Sequence, residues 1–196
     1  MGQSGEIPGL WLLVFKGPAG TGKSTLARAL GRRLGLPVVD KDDVKDVLDG
    51  HTPQAGGLAY DVMWRVARRQ LLQNLSVISD SPLTFARGYG RAEEIAQDAG
   101  ARLAIIECAC GDEATWRERI EGRKALGLPA HHQTDWTAFC QSSASLPPSY
   151  PIVAPHLVLD TMHDLSNLVD ECVSWLLQLA VDSPSGAIED GQAGTP

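Results

Sequence analysis

The sequence predicts an α/β fold around a parallel sheet, and three observations carry the prediction. Short β-like runs alternate along the chain with helical stretches, as in repeated strand–helix units. The first run, Leu10–Phe15, is apolar without interruption, which suits a strand buried on both faces. A glycine-rich turn follows it directly and leads into a helix.

The elements are expected in this order. Leu10–Phe15 is the first strand, and Lys23–Leu34 is a helix stopped by Gly35 and Pro37. Leu36–Val39 is the second strand and runs into the acidic cluster Asp40-Lys41-Asp42-Asp43. A short helix passes through Val44, Val47 and Leu48, with Asp42 or Asp43 placed to cap it. His51–Gly57 is a Gly- and Pro-containing loop, and Leu58–Asn74 is helical through Val62, Val66 and Leu71. Leu75–Ser79 is strand three, ending at Asp80; Arg91–Ala99 is helical; Leu103–Glu107 is strand four. Asp112 caps a helix that turns Trp116 and Ile120 inward and reaches about Lys124. Residues 127–155, with five prolines, are expected to be irregular; Leu157–Leu159 is strand five, and Asp164–Ala180 is a closing helix. The expected organisation is a flexible start (1–9), one domain (10–181) with a lid near 112–140, and a disordered tail (182–196).

Composition narrows the function classes. Hydrophobic residues at 43% and charged residues at 21% are ordinary for a globular chain, which excludes wholesale disorder. No apolar run is long enough to cross a membrane. A net charge of −7 argues against a broad surface for polyanions. The start, MGQSGEIPGL, lacks the basic and apolar segments of a secretory signal, and Glu6 breaks the myristoylation pattern. Four cysteines in a chain of this length do not make a disulfide framework, so a reducing, cytoplasmic setting is expected. Cys108 and Cys110 read as buried thiols. No CxxC or HxxxH spacing supports a zinc site at His131, His132 and Cys140.

Gly17-Pro18-Ala19-Gly20-Thr21-Gly22-Lys23-Ser24 spells G-x-x-x-x-G-K-[ST] in full, between a buried strand and a helix. Its glycines let backbone amides approach phosphate oxygens, and the helix N-terminus adds partial positive charge. Lys23 would reach the β- and γ-phosphates, and Ser24 would ligate Mg²⁺, with Thr25 completing the loop's contacts. The expected ligands are therefore ATP and Mg²⁺. Strand three ends Asp80-Ser81-Pro82 with no Glu to polarise water, and no Asn-Lys-x-Asp pattern reads guanine. Motor ATPases and GTPases are thereby disfavoured against phosphoryl transfer to a bound acceptor.

In open parallel sheets, ligands lie beyond the carboxyl ends of the strands. Asp40 and Asp42 after strand two, and Asp80 after strand three, therefore face the phosphate loop. A carboxylate there can take the proton of an attacking hydroxyl, and the residues alone leave Asp40 and Asp42 both open. Asp80 is a candidate for Mg²⁺ or acceptor contact, and Asp40, Arg87 and Tyr60 for acceptor binding. Arg117 has Glu113 and Glu121 at helical spacing and reads as a surface ion pair. Arg119 and Arg123 share another face with no acid at that spacing, which points to a bound anion such as a triphosphate. Arg65, Arg68 and Arg69 read as a solvated face, and Trp64 and His51 as neighbours of the acceptor region.

Gly17–Ser24, the segment Asp40-Lys41-Asp42-Asp43-Val44-Lys45, the strand end Ser79-Asp80-Ser81 and the Arg119/Arg123 pair together resemble the polynucleotide 5′-kinase group of P-loop kinases. That group is similar in turn to zeta-toxin-type and chloramphenicol-phosphotransferase-type small-molecule kinases, and to AAA-like predicted kinases. The resemblance implies a P-loop NTPase three-layer sandwich with a five-stranded parallel sheet of order 2-3-1-4-5. It also implies a small arginine-bearing helical lid, a general base at Asp42, and Asp160-Thr161 beside the adenine. Only Lys45 matches the group's basic nucleic-acid contacts, and no repair or phosphatase domain is expected beside the kinase segment. A small hydroxylated metabolite is therefore the first expected acceptor, with a polynucleotide 5′-hydroxyl or nucleotide second. A non-catalytic ATP-dependent switch is the third reading.

Overall fold

The computed structural model describes residues 7–125 and 134–182. The expectations for residues 1–6, for His131 and His132, and for the tail from residue 183 lie outside the described residues. In chain order the elements are β1 (Trp11–Lys16), α1 (Lys23–Leu34), β2 (Val38–Asp40), α2 (Lys41–Leu48), α3 (Ala55–Leu71) and β3 (Val77–Asp80). They continue with α4 (Ala86–Asp98), β4 (Arg102–Ala109), α5 (Glu113–Ala125), α6 (Trp136–Ala144), β5 (His156–Asp160) and α7 (Leu165–Asp182). All strand pairs are parallel, in the order β2-β3-β1-β4-β5, as expected.

Strand β1 is central, and its residues Trp11 to Phe15 are fully buried. Strand alternation divides them between two cores. Trp11, Leu13 and Phe15 pack with Leu26 and Leu30 of α1 and with Cys172 and Leu176 of α7. Leu12 and Val14 pack on the other face with Met63 and Ala67 of α3 and Ile95 of α4. Helices on both faces make the three layers, and the carboxyl ends of β1, β2 and β3 open together toward one rim.

Several elements depart from the sequence expectation. Helix α3 starts at Ala55, so Gly56 and Gly57 lie in its first turn and not in a loop. Its buried stripe is Ala59, Met63, Ala67 and Leu71, while Val62 and Val66 are 39% and 37% exposed. The small alanines let the helix lie close on the sheet, turning the valines outward. The segment expected to be irregular contains helix α6, capped by Asp135, whose carboxylate accepts from the Ala138 amide at 2.8 Å. Phe139 supplies its packing: it is buried and lies 5.2 Å from the ring centre of Trp116. Helix α4 begins at Ala86, five residues earlier than its expected start. Cys108 is buried as expected, but Cys110 is only half-buried.

Candidate active site

The phosphate loop closes between β1 and α1. A side chain at Gly17 would meet the Cys108 carbonyl oxygen at 2.3 Å, and its φ of +132° belongs to glycine. The Gly17 amide donates to the Pro82 carbonyl at 3.1 Å. The Thr21 hydroxyl and the Lys23 ammonium both donate to the Pro18 carbonyl, at 2.9 Å and 2.7 Å. Lys23 is buried; desolvation lowers its pKa from the ordinary lysine value, opposed chiefly by Asp80. From α5, the Trp116 indole N–H donates to the Ala19 carbonyl at 2.8 Å.

A cleft of ≈ 180 Å³ lies on this loop, lined by Gly20, Lys23, Ser24, Asp42, Asp80 and Arg123, with Asp40 and Thr25 also on its walls. The sequence thus nominated residues that five different elements bring together. Asp80 ends β3 at 3% exposure, and burial raises its pKa, opposed by a hydrogen bond from Ser24 and by Lys23. Its Oδ2 is buried with no hydrogen-bond partner among the described residues. An orphaned carboxylate oxygen beside a serine hydroxyl is a donor set suited to Mg²⁺, directly or through its water shell. The Ser24–Asp80 pair therefore fits the expected ion.

Asp40 and Asp42 separate in role. Asp40 is the N-cap of α2: one oxygen accepts from the Asp42 amide at 2.9 Å and the other meets Arg28 at 3.3 Å. Burial raises its pKa to about 6, with Asp80 adding to the shift. Because α2 starts at Lys41, the capping expected at Asp43 falls instead to Asp40, and Asp43 is exposed in the first turn. Asp42 is half-buried, ion-paired with the Lys41 ammonium, and close enough to Arg123 to favour the charged guanidinium.

The arginine pair also divides. Arg119 grips Thr161 after β5, donating to its hydroxyl at 3.0 Å and its carbonyl at 2.9 Å. Both residues line a ≈ 390 Å³ cavity with Gly22, Thr25, His163 and Leu165, at the outer end of the phosphate loop. Arg123 borders both this cavity and the phosphate cleft. Arg117 pairs with Glu121 at 3.0 Å, as expected. Tyr60, Trp64 and Arg87 line a separate ≈ 350 Å³ cavity between α3 and α4, whereas His51 is exposed and stands apart from it. Trp116 and Lys41 were not foreseen as site residues; an indole near the start of α5 carried no local signal for its bond to the loop. Among the described residues, no helix is long and apolar enough to cross a membrane.

Comparison with protein families matches the AAA domain family, AAA_33, over residues 12–141. A comparison with curated proteins finds no match. Among solved structures, a candidate kinase from Chloroflexus aurantiacus J-10-fl is similar at 25% identity and a TM-score of 0.70, covering 84% of this chain and 97% of that one. A gluconokinase from Sinorhizobium meliloti 1021 is 19% identical with a TM-score of 0.59, covering 90% of this chain and 96% of its own. The Mycobacterium tuberculosis APS kinase CysC, in complex with AMPPNP and APS, is 18% identical with a TM-score of 0.61, covering 86% of this chain and 98% of its own. The architecture is that of the P-loop kinases.

Proposed function

The chain belongs to the AAA domain family, and from that premise we propose that it is an ATP- and Mg²⁺-dependent kinase acting on a hydroxyl of a small-molecule metabolite. One observation carries the reading: Asp42, Asp80 and Arg123 line the same cleft as Lys23 and Ser24. This cleft offers a carboxylate beside the phosphate loop, and the cavity lined by Tyr60 and Arg87 offers room for an acceptor.

In this reading the acceptor hydroxyl oxygen attacks the terminal phosphorus as the bond to the bridging oxygen of ADP breaks. Asp42 takes the hydroxyl proton. Asp40 does not compete for it, because both its oxygens are engaged in capping α2 and meeting Arg28. Lys23 and Arg123 offset the charge on the transferring group, and the loop amides cradle the phosphates already in the ground state. Ser24 and Asp80 would hold Mg²⁺, which supplies charge neutralisation when bound. Arg119, fixed by Thr161, offers a flat cation to the nucleoside end. Tyr60 and Arg87 belong to the acceptor side, and helices α5 and α6 are the lid. The gluconokinase and the APS kinase, both named for small acceptors, give a precedent for this architecture in such chemistry.

The test is transfer of labelled γ-phosphate from ATP into a cell extract split into metabolite and nucleic-acid fractions. Asp42→Ala and Lys23→Ala proteins run beside the wild type. Label entering metabolites with wild type alone supports the proposal. Label confined to nucleic acid would move the acceptor to a polynucleotide, and no transfer above the controls would overturn the kinase reading.

A further inference from the structure

The cavity between α3 and the start of α4 has a composition that selects its occupant. Tyr60 forms the wall it shares with the phosphate cleft: the Lys41 ammonium, on the cleft side, lies 5.7 Å from the Tyr60 ring centre. Trp64 lines the cavity from a position only 5% exposed, and Phe85 stands at the rim with 54% of its surface in water. Three aromatic side chains therefore face one space of ≈ 350 Å³. Its charged lining is Arg87 and Arg91 against a single acid, Asp61. Arg91 is held by Glu94 at 2.8 Å, while Arg87 makes no ion pair among the described residues. Helix α4 opens here with Phe85 at its N-cap and no side-chain cap, so its positive end adds to the same sign.

Two helical glycines keep the space open. Gly57, in the first turn of α3, and Gly88, in the first turn of α4, both line the cavity and have no positive φ that would demand glycine. A Cβ at Gly57 would meet nothing within 4 Å, so neither sterics nor backbone accounts for a residue that weakens a helix. What its absent side chain leaves is room.

We infer that this cavity holds the non-reacting part of the acceptor, and that this part is a planar ring bearing an anionic group: carboxylate, sulfonate or phosphate. The word acceptor rests on the kinase reading above; the ligand chemistry does not. Tyr60, Trp64 and Phe85 offer faces and edges for a ring. Arg87 offers a planar fork for an oxyanion.

The test uses a probe of this chemistry, 1-anilinonaphthalene-8-sulfonate, titrated by fluorescence into protein saturated with ADP. Its neutral counterpart, N-phenyl-1-naphthylamine, is titrated in parallel. The expected result is single-site binding of the sulfonate, weakened at least tenfold by Arg87→Ala, recovered only in part by Arg87→Lys, which keeps the charge without the fork, and lost in Gly57→Met. The neutral amine should bind at least tenfold more weakly than the sulfonate. Each variant is checked for wild-type ADP affinity, which reports that the fold is intact. Equal sulfonate binding by wild type and Gly57→Met, or equal binding of sulfonate and neutral amine, overturns the inference. No phosphoryl transfer enters this readout. Probe binding as expected without any kinase activity would overturn the kinase reading alone; kinase activity with an indifferent cavity would overturn this inference alone.

Discussion

The Trp116 indole donates to the Ala19 carbonyl oxygen at 2.8 Å, joining positions 97 residues apart. The same ring meets Trp136 at 5.7 Å and Phe139 at 5.2 Å between centres, so α5 and α6 reach the phosphate loop as one packed unit. A carbonyl held outward by the indole leaves the neighbouring loop amides free to face phosphate. Trp116→Phe keeps most of the ring packing and removes the donor, a loss of about 1 kcal/mol. ADP affinity should fall roughly fivefold, while adenosine affinity stays unchanged. Calorimetric titration of both ligands checks it; equal losses for the two would mean a general defect of the fold.

Asp42→Asn should lower turnover by about 10² to 10⁴-fold, the range of a lost general base. ATP affinity should stay within about twofold, because in this reading the carboxylate acts on the acceptor hydroxyl in the transition state. Single-turnover rates with labelled ATP, set beside equilibrium binding, separate the two effects.

Asp80 is buried with an oxygen that has no hydrogen-bond partner among the described residues, so its contribution should surface only with the metal. Asp80→Asn is expected to raise the Mg²⁺ concentration for half-maximal ADP binding at least about tenfold, as loss of a metal-site partner does. Binding of ADP in EDTA should hardly change. Titration of Mg²⁺ at fixed ADP, followed by thermal shift, measures both.

Asp40 carries a pKa raised to about 6 by burial and by Asp80. A carboxyl raised in the folded state binds protons more tightly there than in the unfolded chain. Its burial as an anion therefore weakens stability progressively as pH rises from about 4 to about 6, and fully above that. Asp40→Asn retains a capping oxygen and removes the charge. The variant should melt a few degrees above wild type at pH 8, about 1 kcal/mol, with the gap closing by pH 4. Melting curves across that range decide it; a constant gap would place the cause elsewhere.

What was legible in the sequence followed from how locally it was written. The phosphate loop spells its chemistry in consecutive residues, Gly17 to Ser24, and Leu10–Phe15 announces a strand buried on both faces. The strand order came with the family resemblance, because no local pattern states which strands are neighbours. Contacts made across the fold were hidden. Arg119 has no acid three or four residues away, and its partner Thr161 lies 42 residues along the chain. Helix α6 sits in a proline-containing stretch and owes its place to Phe139 packing on Trp116, a tertiary effect outweighing local composition. On α3, apolar residues sit on both candidate faces, so Val62 and Val66 gave a helix of the right kind but the wrong rotation. The cap of α2 moved from Asp43 to Asp40 because three acids within four residues near a helix start leave its first residue undetermined.

The position of β1 in the sheet has a consequence for biosynthesis. The motif emerges from the ribosome before β3, β4 and α5, and its scaffold is distant in sequence. Strand β1 pairs with β3 and β4, and the loop leans on the Pro82 carbonyl, the Cys108 carbonyl and Trp116. A nascent chain that has passed Ser24 therefore owns the complete signature without a binding site. The site matures only when segments from β4 and α5 have joined, a topology of long sequence separation that slows folding. Nucleotide then stabilises the whole domain and not the early fragment. Stalled chains of increasing length should acquire ADP retention abruptly, after α5 has left the exit tunnel.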